Sequence, residues 1–240
     1  MDKIIIRNEN ESEFRLVDEI TRKAFWNQYI PGCDEHYLVH IMRAHPDFIP
    51  ELDFVMEMNE VIIGNIMYTK AKLIETNETS VKGKKDSVKT KDILTFGPLT
   101  IHPDYQRKGH GKKLMEHSFS KAKELGYDTV VIFGNPSNYV SSGFVSCKKH
   151  HVSLEGDVFP TAMMVKELIP GALDGRKWIY HQSPVLEIDP KEAEKFDAGF
   201  EKMEKKYQTS QEEFFINSHS IITMDSIGIL PDDLFRNGRS

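Results

Sequence analysis

Gln106-Arg107-Lys108-Gly109-His110-Gly111 stands between an apolar run, Ile93 to Ile101, and a segment whose apolar residues recur at helical spacing. A glycine-bearing turn in that place lets backbone N–H groups approach an anion. The first turn of the following helix adds free donors and the positive end of its dipole. Arg107, Lys108, Lys112 and Lys113 put positive charge beside those donors. Leu114, Met115, Phe119, Ala122 and Leu125 share one face before Gly126, which predicts the helix and its stop. The stretch reads as strand, phosphate-binding turn, helix; a solvated basic helix start is the plainer alternative.

Neither a G-x-x-x-x-G-K-[ST] loop nor a G-x-G-x-x-G turn after a strand occurs, so the two commonest phosphate-binding patterns do not apply. The stretch resembles the acyl-coenzyme A motif of the GNAT N-acetyltransferase family, in which Gln or Arg is followed after two residues by Gly and, one residue on, by Gly or Ala. Gln106, Gly109 and Gly111 occupy those positions. Upstream, Gly97-Pro98-Leu99-Thr100-Ile101-His102-Pro103 resembles the end of the family's central strand and its corner. Downstream, Val130 to Phe133 reads as a buried strand. Gly134 to Phe144 resembles the closing motif, with Tyr139 four residues before Gly143-Phe144. The G-x-P opening, Gly134-Asn135-Pro136, is similar to that of the YhbS-like bacterial subgroup.

The resemblance implies an α/β (α+β) fold with a mixed, mostly antiparallel central sheet flanked by helices. It covers roughly residues 4 to 168, within the usual boundary error. A domain over 1–168 and a C-terminal extension over 169–240 are expected. The order of elements agrees. Ile4-Ile5-Ile6 suggests a strand, and Asn10 with Glu13 makes a capping box for a helix carrying Phe14, Val17, Ile20 and Ala24. Asp34 can cap a second helix with Leu38, Ile41 and Met42 inward. Phe54 to Met58, the Asn59-Glu60 turn and Val61 to Ile74 form an antiparallel hairpin leading to the strand at Ile93. In the extension, Val185 to Ile188 suggests a strand, and Asp189-Pro190 with Glu192 starts a helix through about Lys206. Phe196, Phe200, Met203, Phe214 and Phe215 predict that this tail packs on the domain or on a partner subunit, which admits a homodimer. Leu230 to Ser240 is polar enough to fray.

Composition bounds the rest. The 240 residues carry a formal net charge of −6, which argues against nucleic acid as the main partner. No apolar run is long enough for a membrane span, and the N-terminal stretch lacks a signal peptide's apolar region, so a cytoplasmic location is expected. Cys33 and Cys147 have neither disulfide-framework nor metal-ligand spacing. Lys82, Lys84, Lys85, Lys89 and Lys91, set among Thr, Ser, Gly and Asp, read as a solvated hairpin loop. His36 and His40 share a helical face without a zincin Glu or a third ligand, so they read as surface residues and no metal is expected. His150 and His151 read as strand-edge residues.

By the resemblance, the acyl donor is acetyl-coenzyme A and the acceptor an unidentified amine. The central strand splays from its neighbour at a bulge, and the backbone there, Leu99, Thr100 and Ile101, holds the acetyl carbonyl and pantetheine arm. Gln106, Arg107, Lys108, Gly109, His110, Gly111 and Lys112 hold the pyrophosphate; for His110 the backbone matters more than the ring. Asn135 matches a position that bonds the pantetheine, or else satisfies its own loop backbone. Tyr139 matches the general acid for the departing thiolate; the alternative is a core tyrosine with a bonded hydroxyl. Relatives place a glutamate base where this chain has Thr95, and Glu57 is a substitute only through water, so no base is assigned. An enzyme is the first expectation, and a non-catalytic acyl-coenzyme A sensor on the same fold the alternative.

Overall fold

The computed structural model describes residues 3–76 and 89–223. The chain runs β1 (Ile4–Asn8), α1 (Phe14–Phe25), α2 (Glu35–Met42), β2 (Phe54–Met58), β3 (Val61–Glu75), β4 (Thr90–Ile101), α3 (His110–Glu124) and β5 (Thr129–Phe133). It continues with α4 (Pro136–Tyr139), β6 (Val145–Ser146), β7 (Val152–Ser153), β8 (Met163–Glu167), β9 (Trp178–His181), α5 (Pro190–Asp197) and α6 (Thr209–His219).

The strands form one sheet in the order β1-β2-β3-β4-β5-β8-β6, with β9 pairing both β3 and β7. All pairs on the main path are antiparallel except β4 with β5. Alternation along the strands divides the core in two. Ile66, Tyr68, Leu94, Phe96, Val130 and Ile132 face α3, where Leu114, Met115, Phe119 and Ala122 pack on them. On the other face, Met67 lies under α1 and α2, while Ile93 and Val131 meet Trp178 and Tyr180 of β9.

Two irregularities position the site. Ile66 pairs with Leu99 and Tyr68 with Phe96, so Met67 alone stands opposite Gly97 and Pro98. This extra residue bulges β4 and re-aims its last residues. The parallel pairing of β4 with β5 holds at Leu94 and Val130. Beyond that point the two strands part, and a wedge opens between their carboxyl ends.

Local signals explain the helices. The Asn10 N–H donates to Glu13 Oε2 at 2.9 Å, completing the expected capping box ahead of α1. Asp34 stands at the head of α2 without a side-chain cap, and Ile41 is only partly buried. Leu125, expected on the inner face of α3, is 40% exposed because the helix has already ended at Glu124.

The extension differs from the reading of its sequence in three ways. Val185 and Leu186 lie in a turn, not a strand, because Pro184 opens it and Ser183 Oγ accepts the Val185 N–H at 3.4 Å. The helix from Pro190 ends at Asp197, not near Lys206, with Gly199 following and Phe200 turned onto the Arg15 guanidinium, 3.6 Å away. Neither β9 nor α6 is expected from sequence, and both pack against residues of 1–168. Phe196 covers His36, Tyr37 and His40, and Phe214 lies on Tyr29 at 4.3 Å between ring centroids. Met203 and Phe215 are exposed.

Lys82, Lys84, Lys85 and Leu230 to Ser240 lie outside the described residues. No helix among the described residues is long and apolar enough to cross a membrane.

Candidate active site

The wedge between β4 and β5 opens into a cleft of about 320 Å³. Leu99 and Ile101 form its floor, Gly109 to Lys112 its mouth, Asn138, Tyr139, Ser141 and Ser142 one wall, and Ala24, Phe25, Gln28 and Tyr29 the other.

The mouth is built from the turn that precedes α3. Arg107 and Gly109 have φ of 60° and 80°, so the chain reverses sharply before the helix. At Gly109 a Cβ would find open space, so glycine is needed there for its left-handed backbone. Gln106 Nε2 donates to the Ile101 carbonyl at 3.0 Å and ties the turn to the tip of β4. The first turn of α3 contains no acidic residue, although carboxylates are favoured at helix N-termini. Its place is taken by Lys112, beside Arg107, which leaves the N–H end of the helix for an external anion. At Gly111 a Cβ would sit 3.6 Å from Leu99 and 3.7 Å from Ile101, so anything longer projects into the cleft.

Tyr139 is held by close packing. Its ring lies 6.0 Å from Phe96 and 5.9 Å from Phe144. A Cβ on Gly134 would meet Tyr139 Cε2 at 2.7 Å, which explains the glycine that opens the closing motif. The hydroxyl makes no hydrogen bond among the described residues. Burial raises the phenol well above its ordinary pKa, with Tyr29 adding to the effect. Tyr29 itself is pushed up to about 12 by burial and by Glu35. Both phenols therefore keep their protons at neutral pH.

Nine of the residues expected from sequence meet at this cleft: Leu99, Ile101, Gln106, Arg107, Gly109, His110, Gly111, Lys112 and Tyr139. Three lie off it. Thr100 faces α1, its hydroxyl 2.9 Å from that of Thr21. Lys108 Nζ donates back to the Asp104 carbonyl at 2.8 Å. Asn135 caps α4, its Oδ1 accepting from the Ser137 N–H at 3.0 Å and the Ser137 hydroxyl at 2.9 Å. The His110 ring is buried, 6% exposed, at the start of α3.

The surroundings of other residues bear on their readings, correcting some. Glu57, the substitute base through water, is partly buried and lies off the cleft lining, its carboxylate accepting from Arg7 of β1 at 3.0 Å. Thr95 is buried and hydrogen-bonds the Tyr180 hydroxyl. His36 is fully buried between Phe196 and Phe200, with Nε2 3.2 Å from Asp197, whereas His40 is exposed. His150 and His151 end a 3₁₀ turn, not a strand edge. No group of three His, Cys, Asp or Glu residues able to hold a metal occurs among the described residues.

Comparison with known proteins gives the same architecture. The model of the Acetyltransferase (GNAT) family matches residues 19–146, more than half of the chain. The uncharacterized N-acetyltransferase YjhQ of Escherichia coli (strain K12) is 26% identical over 98 residues, which are 41% of this chain and 48% of that protein. The match thus spans about half of that relative. The crystal structure of the GNAT family N-acetyltransferase YhbS from Escherichia coli, in complex with coenzyme A, is similar with a TM-score of 0.63 at 19% identity, covering 78% of this chain and 94% of that one. A GNAT family acetyltransferase from Brucella melitensis, in complex with acetyl-coenzyme A, gives 0.54 at 18% identity, covering 77% and 98%.

Proposed function

The chain belongs to the Acetyltransferase (GNAT) family, and on that premise we propose that it moves an acetyl group from acetyl-coenzyme A to a primary amine by direct attack in a ternary complex. One observation carries the reading: the wedge between β4 and β5 opens onto the α3 mouth and the Tyr139 hydroxyl within a single cleft. The relatives solved with coenzyme A and acetyl-coenzyme A support the choice of donor.

The pyrophosphate sits on the Gly109 to Lys112 turn, against free helix donors and positive side chains. The thioester arm follows β4 past Leu99 and Ile101, whose backbone, freed from β5, polarises the acetyl carbonyl. The amine nitrogen forms a bond to the carbonyl carbon as the carbon–sulfur bond breaks. An alkyl ammonium must first lose its proton, at a cost of roughly 4.6 kcal/mol at pH 7 for a pKa of about 10.4. That proton leaves through solvent, since Thr95 and Glu57 are engaged elsewhere. The departing sulfur meets the protonated Tyr139, which donates to it. Arg107 and Lys112 hold the donor; Lys108 and Asn135 act by holding the two loops in shape. Residues 1–168 carry this machinery and the extension packs upon it.

The sensor reading draws on one observation, the Thr95–Tyr180 bond where relatives place an acid. Two measurements separate the readings. Acetyl-coenzyme A at about 100 times its Kd should stabilise the protein by about 2.7 kcal/mol in thermal unfolding. Free thiol should then appear when a panel of amines is added. Stabilisation without thiol release from any amine selects the sensor; neither response removes both.

A further inference from the structure

The cleft has two sides, and the proposed donor uses one. A nucleophile must reach the acetyl carbon along a line that the pantetheine does not occupy, so the amine comes from the face of the sheet opposite α3. That face carries Thr95 on Tyr180 and, at the end of β5, Phe133, which is 43% exposed with its ring 6.0 Å from Tyr180.

α6 spans this side, fixed at both ends. At its N-terminal end Gln211 Nε2 donates to the Asn27 carbonyl at 3.1 Å, and Phe214 lies 4.3 Å from Tyr29, a residue of the cleft wall. At its C-terminal end the Asn217 and Ser220 carbonyls accept from the N–H groups of Ala162 at 3.0 Å and Thr161 at 2.8 Å. The Ala162 carbonyl in turn accepts the Gly134 N–H at 3.0 Å, just past β5. A helix about 16 Å long thus bridges the α1–α2 loop and the end of β5. Phe214 of α6 backs Tyr29 of the cleft wall, and Tyr180 of β9 lies against Phe133 and Thr95, so the extension covers this side with two aromatic pairs. A loop of a folded protein could enter only by displacing α6, whereas a small molecule need not.

We infer that α6 and β9 wall the acceptor side, with Phe214 setting its size, so that the acceptor is a small primary amine with an apolar flank and not a lysine on a folded protein. This rests on the acetyl-transfer reading, and the test separates the two. Wild type, Phe214→Ala and Phe215→Ala, whose side chain is exposed, are compared with an n-alkylamine, arylalkylamines of increasing ring size and a lysine peptide. Both kcat/KM and calorimetric affinity for the coenzyme A complex are measured. Phe214→Ala should favour the bulkiest arylalkylamine over the smallest amine by about tenfold relative to wild type, and Phe215→Ala should change nothing. A size ratio unchanged in both measurements, preference for the lysine peptide, or binding of no amine by any protein overturns the inference. A shifted ratio in binding without turnover by any protein leaves the wall standing and removes acetyl transfer.

Discussion

The two sides of the wedge are built in opposite ways. The α3 side comes from two short stretches, Leu99 to Lys112 and Gly134 to Ser142, and its geometry is set by backbone: a bulge, a left-handed glycine, a helix end. The opposite wall, Ala24, Phe25, Gln28 and Tyr29, is backed by Phe214 of α6, while Tyr180 of β9 packs on Phe133 and Thr95, so side-chain packing brings distant parts of the chain to this side. Backbone geometry leaves local signatures; packing between distant segments does not.

The sharpest way to break this contrast is Tyr139→Phe. It should lower kcat by about 100-fold or more while the thermal shift with acetyl-coenzyme A stays unchanged. Unchanged turnover removes Tyr139 as the acid. Because burial raises this phenol, the pH–rate profile of the wild type should climb with amine deprotonation and show no descending limb below about pH 10.

Next in size is Asp197→Ala, which strips the partner from Arg22, 2.6 Å away and 5% exposed, and loosens the extension from α1 and α2. A cost of about 3 kcal/mol is expected in denaturant unfolding. Coenzyme A affinity per folded molecule should hold, since the donor side does not need this anchor. Gly134→Ala, which would drive a methyl into the Tyr139 ring, should cost about 1 to 3 kcal/mol of strain, appearing as lowered kcat more than lowered affinity. A variant with normal kcat would mean that the ring has room to move.

The gentlest test is titration of His36. Burial is the main cause holding it down, to about 4, with Asp197 opposing and Arg22 assisting. Between that value and about 6.5 the unfolded chain binds more protons than the folded one, so this group's contribution is full above about pH 6.5 and declines as pH falls toward 4. Asp53, pushed up to about 8, and Glu35, to about 7, give slopes of opposite sign. The quantity to follow is therefore the difference between wild type and His36→Gln, and a flat difference would refute the account.

How far the sequence could be read follows the same division. The first five strands and the first three helices were legible because each rests on a local rule, alternation, a capping box or a glycine turn, whereas the nine residues found at the cleft were reached through the family resemblance. Thr100 is expected at the cleft by its backbone alone, and alternation turns its side chain to α1. Asn135 offered two readings, and the carboxamide's bonds to Ser137 show the local one in place. Tyr29 sits in a loop with no motif. β9 is four residues long, with a pairing partner about a hundred positions earlier, and α6 has no apolar stripe to announce it. Val185 to Ile188 is apolar and β-branched enough to suggest a strand, but Pro184 and the Ser183 cap decide otherwise.

The basic mouth of α3 belongs to a chain whose overall balance is −6. A polyanion far from the surface is repelled, and one at the mouth is attracted. At 0.1 M salt the crossover lies within about 10 Å, the Debye length. Ions added to a dilute buffer should first quicken capture by damping the outer barrier, and only at higher strength slow it by masking the lysines and arginine themselves. Association rate against ionic strength would then pass through a maximum.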